Sequence, residues 1–220
     1  MSGPALLALG LAPGVFWLWY FYRKDRWEPE PKLMVIRAYL LGMVSVLPVI
    51  LIEYPFQTLK APLFSIIIAA PVIEEIAKFS MVRIFIFNNT EFDEPMDGIV
   101  YGASVALGFA SVENCSYLFA SKGNLMPVFI ARAVLSVPGH ALCSSMWGYG
   151  LGQAKFASKE YGKRYIRNGL ILAVVSHAVF NLFASLSILG GLALLSLVGT
   201  LWFLILRRIK RVEARSPFHK

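Results

Sequence analysis

The sequence predicts an all-α protein, a polytopic bundle of about seven membrane-spanning helices. Three observations carry that prediction. Hydrophobic residues make up 57% of the 220 and charged residues only 15%, too little charge to cover a soluble surface. The mean hydropathy is +0.63. Apolar windows of about 20 residues, the length that crosses a hydrocarbon core of about 30 Å, recur along the whole chain.

The first span, Leu6–Tyr22, is short and contains Pro13–Gly14, so a kink is expected there. The opening "MSGPALLALG" lacks a basic n-region and no small-residue cleavage site follows, which favours a retained helix over a removed signal peptide. "DRWEPEPK" is a proline-punctuated turn. Then come Met34–Glu53, Pro62–Phe87, Gly98–Ala120, Val128–Gln153 and Ile166–Ser187. The last span, Leu192–Leu206, is short enough to lie partly in the interface. The connections are brief, and residues 1–220 read as one integral-membrane domain.

Lysine and arginine set the orientation. One side carries Arg23, Lys24, Arg26 and Lys32, then Lys155, Lys159, Lys163, Arg164 and Arg167, then the tail from Arg207 to Lys220. The other has only Lys60 and Lys122. The N-terminus is therefore expected outside and the C-terminus in the cytoplasm. The net charge of +8 suits the anionic headgroups of a lipid bilayer and calls for no nucleic acid. One cytoplasmic loop, "NNTEFDEPMD", is acidic and runs against the trend. Cys115 and Cys143 both fall in spans with no CxxC, and read as small packed residues.

Ionisable groups inside a bilayer face the protein interior and mark sites, because burying them alone costs several kcal/mol. The third span holds Glu74, Glu75, Lys78 and Arg83, the fourth Glu113 and Asn114, the fifth Arg132 and His140, the sixth His177 and Asn181. At about 1.5 Å per residue from the outer span ends, the acids and imidazoles lie roughly 10 to 20 Å deep. Four consecutive helices thus place them in one slab. Carboxylate and histidine in a partly dry cavity are what water activation requires. Glu74 and Lys78 are i,i+4, so the lysine partly neutralises the pair. His177 and Asn181 are also i,i+4, and two such donors suit a developing oxyanion. Glu113 shares a face with Phe109 and Tyr117, and His140 with Ser136 and Ser144.

"EEIAK", "DGIVYGASVALGFASVEN", "PGHALCSSMWGYGLG" and "SHAVFN" resemble the successive motifs of the PrsW family, bacterial glutamic-type intramembrane proteases related to the CAAX-protease and bacteriocin-processing superfamily. The superfamily pattern of EExx(x)R/K, FxxxE, H and HxxxN falls on Glu74, Glu75 and Lys78, on Phe109 and Glu113, on His140, and on His177 with Asn181. The resemblance covers nearly the whole chain. It implies site-1 cleavage of a single-span membrane anti-sigma factor on the extracytoplasmic side, which begins release of a sigma factor. It also implies water activated by Glu74 or Glu75 with His140, tuning by Glu113, and oxyanion stabilisation by His177 and Asn181, with no metal or other cofactor.

Structural readings stand beside these. Glu74–Lys78 reads as an intramembrane ion pair, Arg132 as a snorkelling side chain, and Gly98/Gly102 and Gly148/Gly152 as helix-packing GxxxG pairs. HExxH is absent, yet two histidines and a glutamate from separate helices still make a zinc set. A proton-coupled transporter and a non-catalytic scaffold of the same fold also remain open.

Overall fold

In the computed structural model the chain is described over residues 2–57, 61–121, 123–186 and 188–218. Lys60, Lys122, Ser187 and Lys220, which entered the sequence reading, lie outside the described residues. Among the described residues there is no strand. Seven long helices follow one another: α1 Gly3–Tyr22, α2 Lys32–Gln57, α3 over 62–85, α4 Pro95–Ala120, α5 over 125–155, α6 Lys159–Ala184 and α7 Ile188–Glu213. Among the described residues, six are long and apolar enough to cross a membrane. The remaining one, α3, carries Glu74, Glu75, Lys78 and Arg83.

One expectation is corrected. The last helix is not short, because 26 residues from Ile188 to Glu213 continue through the basic stretch after Leu206. The first helix continues through Pro13 without interruption. Its Gly14 is there for closeness: a Cβ on Gly14 would lie 1.9 Å from Ser111 Oγ.

Helix α4 is the buried centre, packed by α1, α2 and α5. Small residues allow that position, since helix association in lipid depends on close backbone approach. A Cβ on Gly42 would meet the Val105 carbonyl oxygen at 1.9 Å, and one on Gly108 the Tyr39 oxygen at 1.8 Å, so α2 and α4 cross backbone to backbone. The two GxxxG pairs face each other across α4 and α5, where a Cβ on Gly98 would sit 2.2 Å from the Gly148 oxygen.

Helices α3 and α5 share an irregularity. Residues Ser65–Ala69 and Arg132–Ser136 form π turns, and each is followed two residues later by a proline, Pro71 and Pro138. Proline lacks an N–H and its ring crowds the preceding turn, which widens to i→i+5 bonding. Each proline leaves the carbonyl five residues back without its donor. A distant side chain supplies one: Asn181 Nδ2 donates to the Ile66 oxygen and Trp17 Nε1 to the Ala133 oxygen, both at 2.9 Å.

At the other end of α4 lies an acidic cluster. Asp25 and Glu30 come from the α1–α2 loop, Glu94 precedes α4, Asp97 is in its first turn, and all four are at most 4% exposed. Glu94 and Asp97 form a capping box, and Pro95 opens the helix. Burial first, and then the charges of Glu94 and Asp97, push Asp25 up to about 8. Burial, followed by the Asp97 charge, pushes Glu30 up to about 10. Folded Asp25 thus keeps its proton between its ordinary value of 3.8 and about 8, where the unfolded chain has lost it. Its contribution to stability is complete below the lower value and disappears as pH rises through the upper one. In chelator-treated protein the Tm should fall between about pH 6 and about pH 8, and Asp25→Asn should flatten that slope. A Tm that rises over this interval contradicts the assignment.

Candidate active site

Glu75 is the fixed point. It is fully buried and accepts from four donors on three helices. Lys78 Nζ donates to its Oε1 at 2.6 Å, and His177 Nδ1 lies 3.0 Å from the same oxygen. Ser144 Oγ and Trp147 Nε1 donate to Oε2 at 2.8 and 2.9 Å. Both oxygens of this carboxylate are therefore engaged in holding α3, α5 and α6 together.

Glu74, one residue earlier, is placed differently. It lines a cavity of about 510 Å³ together with Glu53, Glu113, Arg132, His140, His177 and Asn181. Its Oε2 is buried and has no hydrogen-bond partner. That oxygen lies 3.9 Å from His140 Nδ1, 3.9 Å from His177 Nε2 and 3.7 Å from Lys78 Nζ.

The tautomers follow from the surrounding bonds. Glu113 Oε2 already takes the Arg132 guanidinium at 2.5 Å, so it accepts again from His140 Nε2 at 3.0 Å. That leaves His140 Nδ1 a lone pair. Glu75 likewise accepts from His177 Nδ1, which leaves Nε2 a lone pair. Three acceptors, Glu74 Oε2, His140 Nδ1 and His177 Nε2, therefore converge, with one ligand atom from each within 4.8 Å of the others. Such a set calls for a cation, or for a molecule with protons to give. The two rings stand edge to face, centroids 4.9 Å apart, and Phe109 packs beside His140. Lys78 sits 4.7 Å above the Phe109 ring. The FxxxE spacing thus puts a ring beside the imidazole and the lysine, and a carboxylate on the imidazole.

The structure brings Glu74, Glu75, Lys78, Glu113, His140 and His177 into one cluster. Asn181 lines the same cavity, with one amide N–H on the Ile66 carbonyl. The snorkelling reading of Arg132 is wrong. Its side chain is buried, its Nε donates to Asn114 Oδ1 at 3.0 Å, and its guanidinium lies 3.9 Å over the Tyr117 ring. Asn114 passes the connection on to the Gly10 carbonyl in α1. Trp147 as a partner of Glu75, and Glu53 as part of the cavity, were not anticipated. A signal existed for α5, since Arg132, Ser136, His140 and Ser144 recur every four residues, with Trp147 three further on.

A model described as PrsW family intramembrane metalloprotease matches residues 30–207. The chain belongs to the PrsW family. Protease PrsW of Geobacillus kaustophilus is 38% identical over 95% of this chain and 92% of its own length. Protease PrsW of Oceanobacillus iheyensis is 35% identical over 96% and 98%, and that of Bacillus subtilis 32% over 96% of each. No solved structure matches. As a PrsW protein with six to seven apolar helices, it is a multi-pass protease of the bacterial membrane.

The family description implies a metal, and the donor set fits one. A carboxylate and two imidazoles form the composition of catalytic zinc sites, with a position left for water. The orphaned Glu74 oxygen faces both rings. Each ring gives its other N–H to a carboxylate, the outer-shell arrangement typical of metal-binding histidines.

Arg132→Gln should leave the part-buried Glu113 without its cation and release His140. Loss of one partner of a fully buried pair costs about 3–5 kcal/mol; with the Glu113 side chain 26% exposed the cost should be smaller, and thermal unfolding in detergent should still shift down measurably. Arg132→Lys, which keeps the charge but cannot reach Glu113 and Asn114 with separate nitrogens, should fall between. Wild-type stability in Arg132→Gln would return Arg132 to the surface.

Proposed function

We propose that residues 1–220 act as one protease domain that performs site-1 cleavage of a single-span membrane anti-sigma factor. The observation that carries this reading is the convergence of Glu74 Oε2, His140 Nδ1 and His177 Nε2 at the wall of a cavity inside a helix bundle. The bias of lysine and arginine puts the cavity nearer the extracytoplasmic face, with the N-terminus outside and the C-terminus in the cytoplasm. An apolar cavity of about 240 Å³ adjoins the first and shares Ser136, Phe180 and Ala184 with it. A side chain of the substrate helix fits that recess.

The three acceptors would hold a divalent metal. When bound, it would supply Lewis-acid activation of water and of the peptide carbonyl. The chain's own residues do the positioning. Glu113 and Glu75 fix the two imidazoles, Arg132 and Lys78 hold those carboxylates, and the surrounding helices exclude bulk water. The second N–H of Asn181 is the donor for the oxyanion; His177, whose one N–H is given to Glu75, has none to offer it, contrary to the expectation from the sequence. A second reading dispenses with metal and keeps Glu74 as general base assisted by His140. Lys78 favours it, because its ammonium already stands 3.7 Å from Glu74 Oε2 and 3.4 Å from His140 Nδ1. In that case Glu74 takes a proton from water, the oxygen adds to the carbonyl carbon, and the proton passes to the departing amine.

Reconstituted protein should cut single-span anti-sigma substrates, and Glu74→Gln should lower turnover by about 10²-fold or more while inserting normally. Wild-type cleavage by Glu74→Gln rejects the site. Chelation should abolish activity and stoichiometric metal restore it. Activity that survives complete removal of metal establishes the second reading instead.

A cysteine placed at Asn124 should react with an impermeant thiol reagent outside intact cells, and one at Ser158 should not. Both positions are exposed and both native cysteines are buried. Labelling at Ser158 alone inverts the topology and moves the cut toward the cytoplasm.

A further inference from the structure

The acidic cluster at the start of α4 has no part in peptide hydrolysis. From Asp97 to Glu113 the helix rises about 24 Å, so the cluster lies far from the cavity. Its carboxyls are inside the protein: Asp25 is 4% exposed, Glu94 1%, and Glu30 and Asp97 0%. Bonds already made account for only half of their oxygens. Asp97 Oδ2 accepts the backbone N–H groups of Asp93 and Glu94 at 2.7 Å each. Asp25 Oδ2 accepts the Glu30 N–H at 3.3 Å. The Tyr101 hydroxyl donates to Glu30 Oε2. The other oxygen of each residue, Asp25 Oδ1, Glu30 Oε1, Glu94 Oε2 and Asp97 Oδ1, is buried with no partner.

With no outside donor for these four oxygens, the facing carboxyls of Asp25 and Glu94, and of Glu30 and Asp97, must either share protons or hold a cation in their place, since buried polar atoms are almost always satisfied. One ligand oxygen from each of Asp25, Glu94 and Asp97 lies within 4.8 Å of the others. Oxygens about 2.3–2.6 Å from Ca²⁺, or about 2.0–2.1 Å from Mg²⁺, are separated by distances of that order. The donors are oxygen only, which selects a hard cation over zinc or copper.

We propose that Asp25, Glu94 and Asp97, with Glu30 beside Asp97, bind a hard divalent cation, Ca²⁺ or Mg²⁺, at the end of the bundle remote from the active-site cavity. The ion joins two parts of the chain, the α1–α2 loop and the segment entering α4, beside the end of α7, where Glu213 pairs with Arg26 at 3.9 Å and Ser216 just beyond bonds Glu94. It also accounts for Glu94 and Asp97, two of the four acidic residues of "NNTEFDEPMD", a segment that otherwise opposes the charge bias of its side.

The test uses the full chain in detergent, freed of metal and titrated with Tb³⁺, whose emission is sensitised by a nearby aromatic such as Tyr101. Saturable emission should appear, be displaced by Ca²⁺ or Mg²⁺, and persist in Glu74→Gln. It should fall at least tenfold in Asp25→Asn and in Glu94→Gln, both of which keep an oxygen for the backbone bond. In the wild type, Ca²⁺ or Mg²⁺ at about a hundredfold above its Kd should raise the Tm by about 5–10 °C. Absence of that Tm rise in the wild type overturns the proposal even if the variants fail to fold. So does Tb³⁺ emission of equal strength in a folded Asp25→Asn, or emission lost in Glu74→Gln.

Discussion

The buried carboxylate of Glu75 is the interaction on which the arrangement depends. A charge placed within a bilayer is tolerated only when it is answered, and here the answers come from a lysine, an imidazole, a hydroxyl and an indole on three helices. Because each donor must reach one carboxylate, the relative rotation of α3, α5 and α6 is fixed. His177 is then turned so that its second nitrogen faces Glu74. Glu113 performs the corresponding service for His140 from α4, itself held by Arg132. The adjacent glutamates thus divide their labour. One has both oxygens taken by donors, and the other keeps a buried oxygen with no hydrogen-bond partner.

Close helix contact is the complementary constraint. These carboxylates meet their partners only if the helices approach until backbone touches backbone, and glycines at 42, 98, 108 and 148 permit that. The polar cluster and the small-residue seams are therefore one design. The seams set the distances, and the ionic bonds set the rotations.

Much of this was legible in the sequence. The spans follow from hydropathy, and the six clustered site residues from ionisable groups at similar depth on consecutive helices. The GxxxG pairs were readable as packing. What escaped depended on pairing that no local pattern displays. Arg132 near a span end looks like a snorkelling side chain until Glu113 and Asn114, on another helix, are seen beneath it. Glu74 and Glu75 could not be told apart in the sequence, because their different surroundings depend on donors about 70 residues away. That Asp25 and Glu30 of "DRWEPEPK" meet Glu94 and Asp97 of "NNTEFDEPMD" in the interior is visible only after folding. The length of α7 was underestimated because the basic residues that end the apolar run are themselves helical.

The paired π turns bear on how the family can vary in length. A π turn holds one residue more than the α-helix it interrupts, so it behaves like an absorbed insertion. Deleting one residue from 65–69 would rotate the preceding part of α3 by about 100° and leave Glu74, Glu75 and Lys78 in register. The same deletion between Glu74 and Lys78 would carry the ammonium off the carboxylates. Gaps between relatives should therefore collect just ahead of Pro71 and Pro138, and be excluded from the turns that follow them.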